Sequence, residues 1–304
     1  MKKILIIDFS QMSYRAQTVK VQQSMEVSSD FFTYNILLQI QKAIKQFSPT
    51  EIVLAIDCSS WRKDFYKHYK AQRVRTESDL EMFKLMDQLI IDLKNVFPYK
   101  VIKLPKTEAD DIIATLCFNK KPDDIIYILS SDFDFIQLKT DKVILYNPYT
   151  DELLGEEWPC KIKGNLFTCK EEYIAFHVYH GDPGDNIFNF HTGEEEIEKL
   201  KSGEMKHQKS FGHKFFQNYF RIGLDKMIMS ECEKQNLERN KRLVLLNKEN
   251  IPVEIQNSIM DCYNNYKLII DNELVTTFLE SKNIQSLIEN VDKLFPFPEQ
   301  KPFF

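Results

Sequence analysis

No glycine precedes Gly155 in this chain of 304 residues. A Walker loop and a GxGxxG turn both need glycine so that backbone can approach phosphate, so nucleotide-cofactor chemistry of those kinds is excluded from the first half. Cysteine is sparse: six residues (58, 117, 160, 169, 232, 262) are scattered without a CxxC pair. They read as reduced thiols and point to a cytoplasmic protein. Cys160, Cys169, His177 and His180 match no zinc-finger spacing. No run approaches the ~20 apolar residues of a membrane span. The start MKKILIID mimics a signal peptide, but Asp8 stops its apolar run after four residues. Positive charge is not in excess either, since 40 Lys+Arg face 45 Asp+Glu for a net −5. Wholesale electrostatic attraction to nucleic acid is thereby excluded.

Distribution says more than the sum. Residues 61–75, WRKDFYKHYKAQRVR, hold six Lys/Arg against one Asp, interleaved with Trp61, Phe65, Tyr66 and Tyr69. Cations that neutralise phosphate beside rings that stack on bases suit a single-strand groove. A solvated helix end would also account for the run taken alone.

The first half alternates strand-like runs (3–8, 51–57, 100–104, 125–132, 142–148) with helical patterns, including 30–47 and the long segment 61–95. That alternation predicts βαβ units: an α/β fold with a mainly parallel central sheet and flanking helices. Beyond about residue 168 the pattern turns helical (170–180, 212–222, 224–246, 253–267, 273–289). Residues 190–209 are polar and weakly patterned, which predicts a loop or insertion.

Carboxylates recur where those strands end. Asp8 ends the first, Asp57 the second, TEADD (107–111) follows the third, and Asp132 and Asp134 follow the fourth. Thr107 is the expected N-cap of the helix after the third strand, and acids in a first turn are favoured by its dipole. On a helical wheel Glu108 and Asp111 share one side, with Asp110 across the apolar stripe. In an open parallel sheet the carboxyl ends of strands share one edge, where ligands bind. HGDPGDN adds Asp182 and Asp185 in a turn-rich loop. Single acids cap helices; nine converging acids need cations to offset their repulsion. Oxygen-only ligands favour Mg²⁺ or Mn²⁺, and two ions about 4 Å apart clamp a phosphoryl transfer.

Five segments, IIDFSQMSYRA (6–16), AIDCSSWRKDFYKHYKAQR (55–73), TEADDIIA (107–114), SSDFDFIQL (130–138) and HGDPGDN (180–186), carry a family likeness. In this order the chain resembles the flap endonuclease (FEN-like) 5′-nuclease superfamily, most of all its T-even-type phage ribonuclease H branch. ENIPVEIQNSIMDCYNNYK (249–267) extends the likeness to that branch. The resemblance implies a first metal site from Asp8, Asp57, Glu108, Asp110, Asp111 and Asp132, and a second from Asp134, Asp182 and Asp185. It implies Lys70 and Arg73 as phosphate contacts in catalysis, Tyr69 as a stacking ring, and Arg15, Arg62 and Lys214 among the nucleic-acid contacts. It further implies a nuclease domain over 1–186, with a helical arch about 61–95, and a helical duplex-binding domain over 187–304.

The expected activity is 5′ to 3′ hydrolysis of flaps, nicked or gapped duplexes and RNA–DNA primers in lagging-strand replication. A monomer in the host cytoplasm is expected if the chain is phage-encoded. Where relatives carry a glycine hairpin that binds K⁺, this chain has IFNFHTGEEEIEKL, and only FGHKF retains Gly212 and Lys214 of the pattern. That departure implies a remodelled duplex contact. The tail LFPFPEQKPFF suits a sliding clamp or single-strand-binding protein, or packing on its own domain. A phosphatase using DxD is disfavoured by Ser10, and a PIN ribonuclease by the long helical half. A catalytically inactive flap-binding scaffold is the remaining rival, and none of the expected acids is replaced.

Overall fold

The computed structural model describes residues 1–14 and 28–297. These form two compact units, one from Met1–Ser60, Arg75–Leu154 and the chain from Ile251 onward, the other from Trp61–Val74 and Gly155–Asn250. The units do not coincide with a division at residue 186, because the helices after residue 250 return to the first unit. Arg15 and the tail beyond Phe297 lie outside the described residues.

The first unit is built on a six-stranded sheet of order β3-β2-β1-β4-β5-β6. Its strands are β1 Lys3–Asp8, β2 Glu51–Ala55, β3 Lys100–Ile102, β4 Ile125–Leu129, β5 Val143–Asn147 and β6 Glu152–Leu153. β1 to β5 are parallel and β6 is antiparallel. The sequence legislates this directly, since the Ile/Val/Leu runs of β1 and β2 are buried almost throughout, as parallel strands covered on both faces must be. Helix Ser29–Phe47 starts at a Ser28 cap and buries Phe32, Ile36, Leu37, Ile40 and Ile44. It ends where Ser48 turns into the left-handed region ahead of Pro49. Helix Glu77–Val96 starts in a Thr76–Asp79 capping box. From Met82 to Leu93 its apolar stripe (Met82, Met86, Leu89, Ile90, Leu93) is core, so this stretch of the predicted arch packs one face and exposes the other, with Lys84, Asp87, Gln88 and Ile91 at the surface.

Helix Ala109–Asn119 packs on β1, β2 and helix Val253–Asn264. The late segments also hold the sheet by polar contacts. The buried Tyr99 hydroxyl donates to the Leu294 carbonyl at 2.7 Å, and the Lys100 ammonium to the Tyr263 carbonyl at 3.0 Å. Lys100 also pairs with Glu51 at 3.4 Å; burial pulls its pKa down against that carboxylate's support. No helix among the described residues is long and apolar enough to cross a membrane.

The second unit joins a short hairpin, β7 Cys160–Ile162 and β8 Asn165–Phe167, to helices Lys170–His180, Glu194–Ser202, His213–Ile222 and Glu231–Val244. Its core is aromatic: Phe176 meets Phe167, Phe211 and Phe216, and Tyr179 meets Phe190. Fully buried Asn240 donates to the carbonyls of Val178 and Phe188, both at 2.9 Å. Two expectations need correction. Residues 190–209 are not merely a loop: Gly193 and Gly203 bracket helix Glu194–Ser202, which anchors itself through fully buried Ile197. The single helix expected over 273–289 is broken at Asn283, which adopts φ +54° between Asn272–Ser281 and Gln285–Ile288.

Because Tyr99 is fully buried, Tyr99→Phe leaves the Leu294 carbonyl without its donor. Urea unfolding should show about 1–2 kcal/mol of lost stability.

Candidate active site

Register brings the acids of the first unit to one edge. Asp8 lies opposite Ala55, Ala55 opposite Ile102, and Ile7 opposite Leu129, so the strands end together. β1 has β2 on one side and β4 on the other, which makes its carboxyl end the topological switch point of the sheet.

Short polar contacts hold the carboxylates there. Asp8 is buried, with Oδ1 accepting from the Gln11 N–H at 3.2 Å and Oδ2 from the Ser130 hydroxyl at 3.0 Å. The Asp132 N–H donates to that same Ser130 hydroxyl at 3.1 Å, tying the exit of β4 to the exit of β1. Asp132 then caps a 3₁₀ turn, Phe133–Leu138, by accepting from the Asp134 N–H at 2.9 Å. Asp57 accepts from the Ala109 N–H at 2.8 Å, while its own N–H donates to Ser10 Oγ at 3.3 Å. Buried Glu108 accepts from the Ser60 hydroxyl. Its N–H donates to Asp111 Oδ2 at 3.0 Å.

Thr107 is therefore not the cap. Its hydroxyl donates to the Pro105 carbonyl at 3.0 Å, and Glu108 occupies the N-cap position. The acidic helix start is organised by its own carboxylates, Asp111 reaching back while Asp110 stays partly exposed.

The electrostatic signature sits on Asp8. Burial, then the charges of Asp57 and Asp132, push its pKa up to about 7 against the Gln11 and Ser130 hydrogen bonds. Asp8, Asp57 and Asp132 are thus close enough to feel one another, and a donor set of oxygens alone fits a hard divalent ion such as Mg²⁺ or Mn²⁺. Ser10, Gln11, Ser60 and Ser130 hydrogen-bond the acids or their backbone, and strand-and-acid reasoning passed them over. Their signal was their place inside IIDFSQ, CSS and SSD, beside the acids they orient.

The basic segment and the GDPGDN loop belong to the second unit, as do Asp182 and Asp185; Asp134 belongs to the first. Asp182 accepts from the Gly184 N–H at 2.8 Å and has His177 Nε2 at 3.6 Å. Burial opposes its ionisation, yet His177, Lys163 and the Gly184 N–H together hold its carboxyl below the usual range. The preceding Gly181, at φ +75°, cannot be replaced, since a Cβ there would sit 2.3 Å from the Ile187 carbonyl oxygen. Asp185 gathers the YKAQR residues: Tyr69 donates to it at 3.0 Å, Arg73 at 2.5 Å, and the Lys70 ammonium lies at 3.5 Å.

Two expected nucleic-acid contacts are corrected by burial. Arg62 is only 2% exposed, donates Nε to the Leu243 carbonyl at 3.2 Å and stacks on Trp61, so its cation serves the fold. Tyr69 is 3% exposed and has no free face for a base; its hydroxyl instead fixes Asp185. Lys214 is exposed on the first turn of helix His213–Ile222.

Residues 3–163 match the family model described as 5′-3′ exonuclease, N-terminal resolvase-like domain. The chain is similar to the ribonuclease H of Enterobacteria phage T4, with 29% identity over 296 residues that cover 91% of this chain and 92% of the relative. It is 26% identical to the 5′-3′ exonuclease of Aquifex aeolicus (strain VF5), the match covering 100% of both chains. Among solved structures, the phage T5 5′-exonuclease with bound zinc superposes with a TM-score of 0.61 at 19% identity, covering 88% of this chain and 100% of that one. The phage T5 flap endonuclease complex with DNA and metal ions gives 0.60 at 19%, over 87% of this chain and 100% of that one. These two likenesses concern the fold.

Asp8 makes the first unit's stability depend on pH. With the folded pKa raised, the unfolded chain holds fewer protons between about pH 4 and 7, so stability is full below that window and falls as pH rises through it. The loss is of order 4 kcal/mol. In EDTA, Asp8→Asn should be more stable than wild type at pH 8 by up to about that amount, the two converging near pH 4 in urea titrations.

Proposed function

The chain belongs to the 5′-3′ exonuclease family and is a hydrolytic nuclease, and from that premise we propose that it uses divalent metal to remove RNA primers and 5′ flaps from duplex DNA. The observation that carries the metal reading is the acidic edge at the β1/β4 switch point, where burial and the nearby charges of Asp57 and Asp132 oppose the ionisation of Asp8. Asp8, Asp57, Glu108, Asp110, Asp111 and Asp132 would hold the ion, Mg²⁺ or Mn²⁺, as oxygen ligands. When bound, such an ion lowers the pKa of a coordinated water and offsets charge on the phosphate oxygens.

The protein's own part is to keep the acids aimed. Ser130 fixes one Asp8 oxygen and the Asp132 backbone together, Ala109 fixes Asp57, and Ser60 fixes Glu108. Lys70 and Arg73 supply positive charge for the scissile phosphate, Lys70 as a point charge and Arg73 as a planar clamp. Exposed Lys214 suits a phosphate contact on the duplex. Support for the substrate class comes from the relatives: a phage ribonuclease H similar over most of both chains, and a phage flap endonuclease of like fold whose solved complex holds DNA and metal ions.

A 5′-labelled flap and an RNA-primed duplex should both be cut in Mg²⁺ and left intact in EDTA. Asp132→Asn should reduce cleavage at least about 100-fold while gel-shift affinity for the flap persists. Binding without cleavage by the wild-type protein would favour the scaffold reading instead. Lys70→Ala should lower kcat by about 100-fold with KM nearly unchanged; an equal loss in both would make Lys70 a simple tether.

A further inference from the structure

The segment that carries Lys70 and Arg73 has little secondary structure of its own. From Tyr66 to Arg73 it proceeds by single turns, Tyr69 N–H to Tyr66, Ala71 N–H to His68 and Arg73 N–H to Lys70. Lys70 sits at φ +54°, a left-handed conformation that is strained for a residue with a Cβ. Such a backbone persists only when its surroundings over-determine it. Two supports are visible in the GDPGDN loop, where the Asp185 carbonyl accepts from the Lys70 N–H at 2.8 Å and Asn186 donates to the His68 carbonyl at 2.8 Å.

The third support is His68 itself, and it comes from the helix that the polar sequence had disguised. The His68 ring is 1% exposed. Its Nδ1 lies 2.7 Å from the Lys201 ammonium and its Nε2 lies 3.1 and 3.2 Å from the two Glu194 oxygens. An ammonium can only donate, so Nδ1 accepts and the ring proton is on Nε2, donated to Glu194. Both partners lie on helix Glu194–Ser202, which is pinned by buried Ile197. Lys67, one residue before His68, pairs with Glu194 at 2.5 Å and with Glu198 at 3.5 Å. His68, Glu194 and Glu198 bring their donor atoms within 4.8 Å of one another, but a metal there would need the Nε2 lone pair that the proton occupies and would have to displace Lys67.

We infer that helix Glu194–Ser202 is a brace, and that His68 and Glu194 are positioning residues that hold Lys70 and Arg73 in register for phosphate hydrolysis. This rests on the proposal that Lys70 contacts the scissile phosphate. Neither residue touches substrate in this role; they act through the backbone of residues 66–73. Glu194 is the residue to change, because its side chain is 55% exposed and no core depends on it. Glu194→Ala removes the acceptor, whereas Glu194→Gln keeps an oxygen for the His68 Nε2–H.

The test is steady-state and single-turnover cleavage of a 5′ flap in Mg²⁺ by the full chain. Glu194→Ala and His68→Ala should each lower kcat by about 10- to 100-fold with KM within about threefold, as expected of misplaced rather than missing groups. Glu194→Gln should stay within about threefold of wild type. In the Lys70→Ala background, Glu194→Ala should cost less than it does in the wild type, leaving only the share that acts through Arg73. Full additivity there, a Glu194→Gln as slow as Glu194→Ala, or unchanged kcat in Glu194→Ala would each overturn the brace. If Lys70→Ala is itself silent, it is the phosphate assignment of Lys70 that fails; a kcat loss in Glu194→Ala that persists undiminished in an Arg73→Ala background as well would overturn the brace.

Discussion

Repulsion between like charges is the constraint around which the first unit is arranged. Asp8 is buried with Asp57 and Asp132 near enough to oppose its ionisation. The sheet enforces that proximity through register, which no side-chain rearrangement can relax. Each acid is met by hydroxyls or backbone N–H groups: Ser130 and Gln11 at Asp8, Ala109 at Asp57, Ser60 at Glu108. Neutral donors orient carboxylates without neutralising them, so the negative potential at the edge is kept for a cation. The opposite ends of the strands use a different solution, with Lys100 and Lys2 both paired to Glu51 where β1, β2 and β3 begin. One sheet thus carries compensated charge where it starts and concentrated like charge where it ends.

In the second unit the logic is inverted, because one acid collects several donors. Asp185 receives Tyr69 and Arg73 and faces Lys70, so the basic segment is shaped by an anion within its own unit. The charge-rich surface that suggested a nucleic-acid groove is therefore partly spent on internal order. Arg62 shows the same economy, its guanidinium buried against Trp61 and the Leu243 carbonyl.

Much of the first unit was legible because burial on both faces writes itself as unbroken Ile/Val/Leu runs, and because a parallel sheet sends every following residue to one edge. Asp8, Asp57, Glu108 and Asp132 follow from those two facts together. The cap at Glu108 was not legible, since Thr107 and Glu108 are both competent and the choice depends on where Pro105 places its carbonyl. The burial of Arg62 and Tyr69 was hidden for a similar reason: a basic aromatic run looks the same whether its partners are nucleotides or helices hundreds of atoms away. Helix Glu194–Ser202 escaped notice because one buried residue, Ile197, gives no periodicity. The division of the chain was missed because the sequence shows a composition change near residue 168, whereas the return of Ile251 onward to the first unit is decided by contacts such as Tyr99 to Leu294.

That return has a consequence for synthesis. The strand-end acids of the first unit, Asp8 to Asp134, are all made long before Leu294 and Tyr263, for which Tyr99 and Lys100 must wait as hydrogen-bond partners. The intervening residues 155–250 belong to the other unit and can begin their own packing meanwhile. Translation order therefore completes the first unit last: every residue of the second unit is made before the late contacts of Tyr99 and Lys100 can form.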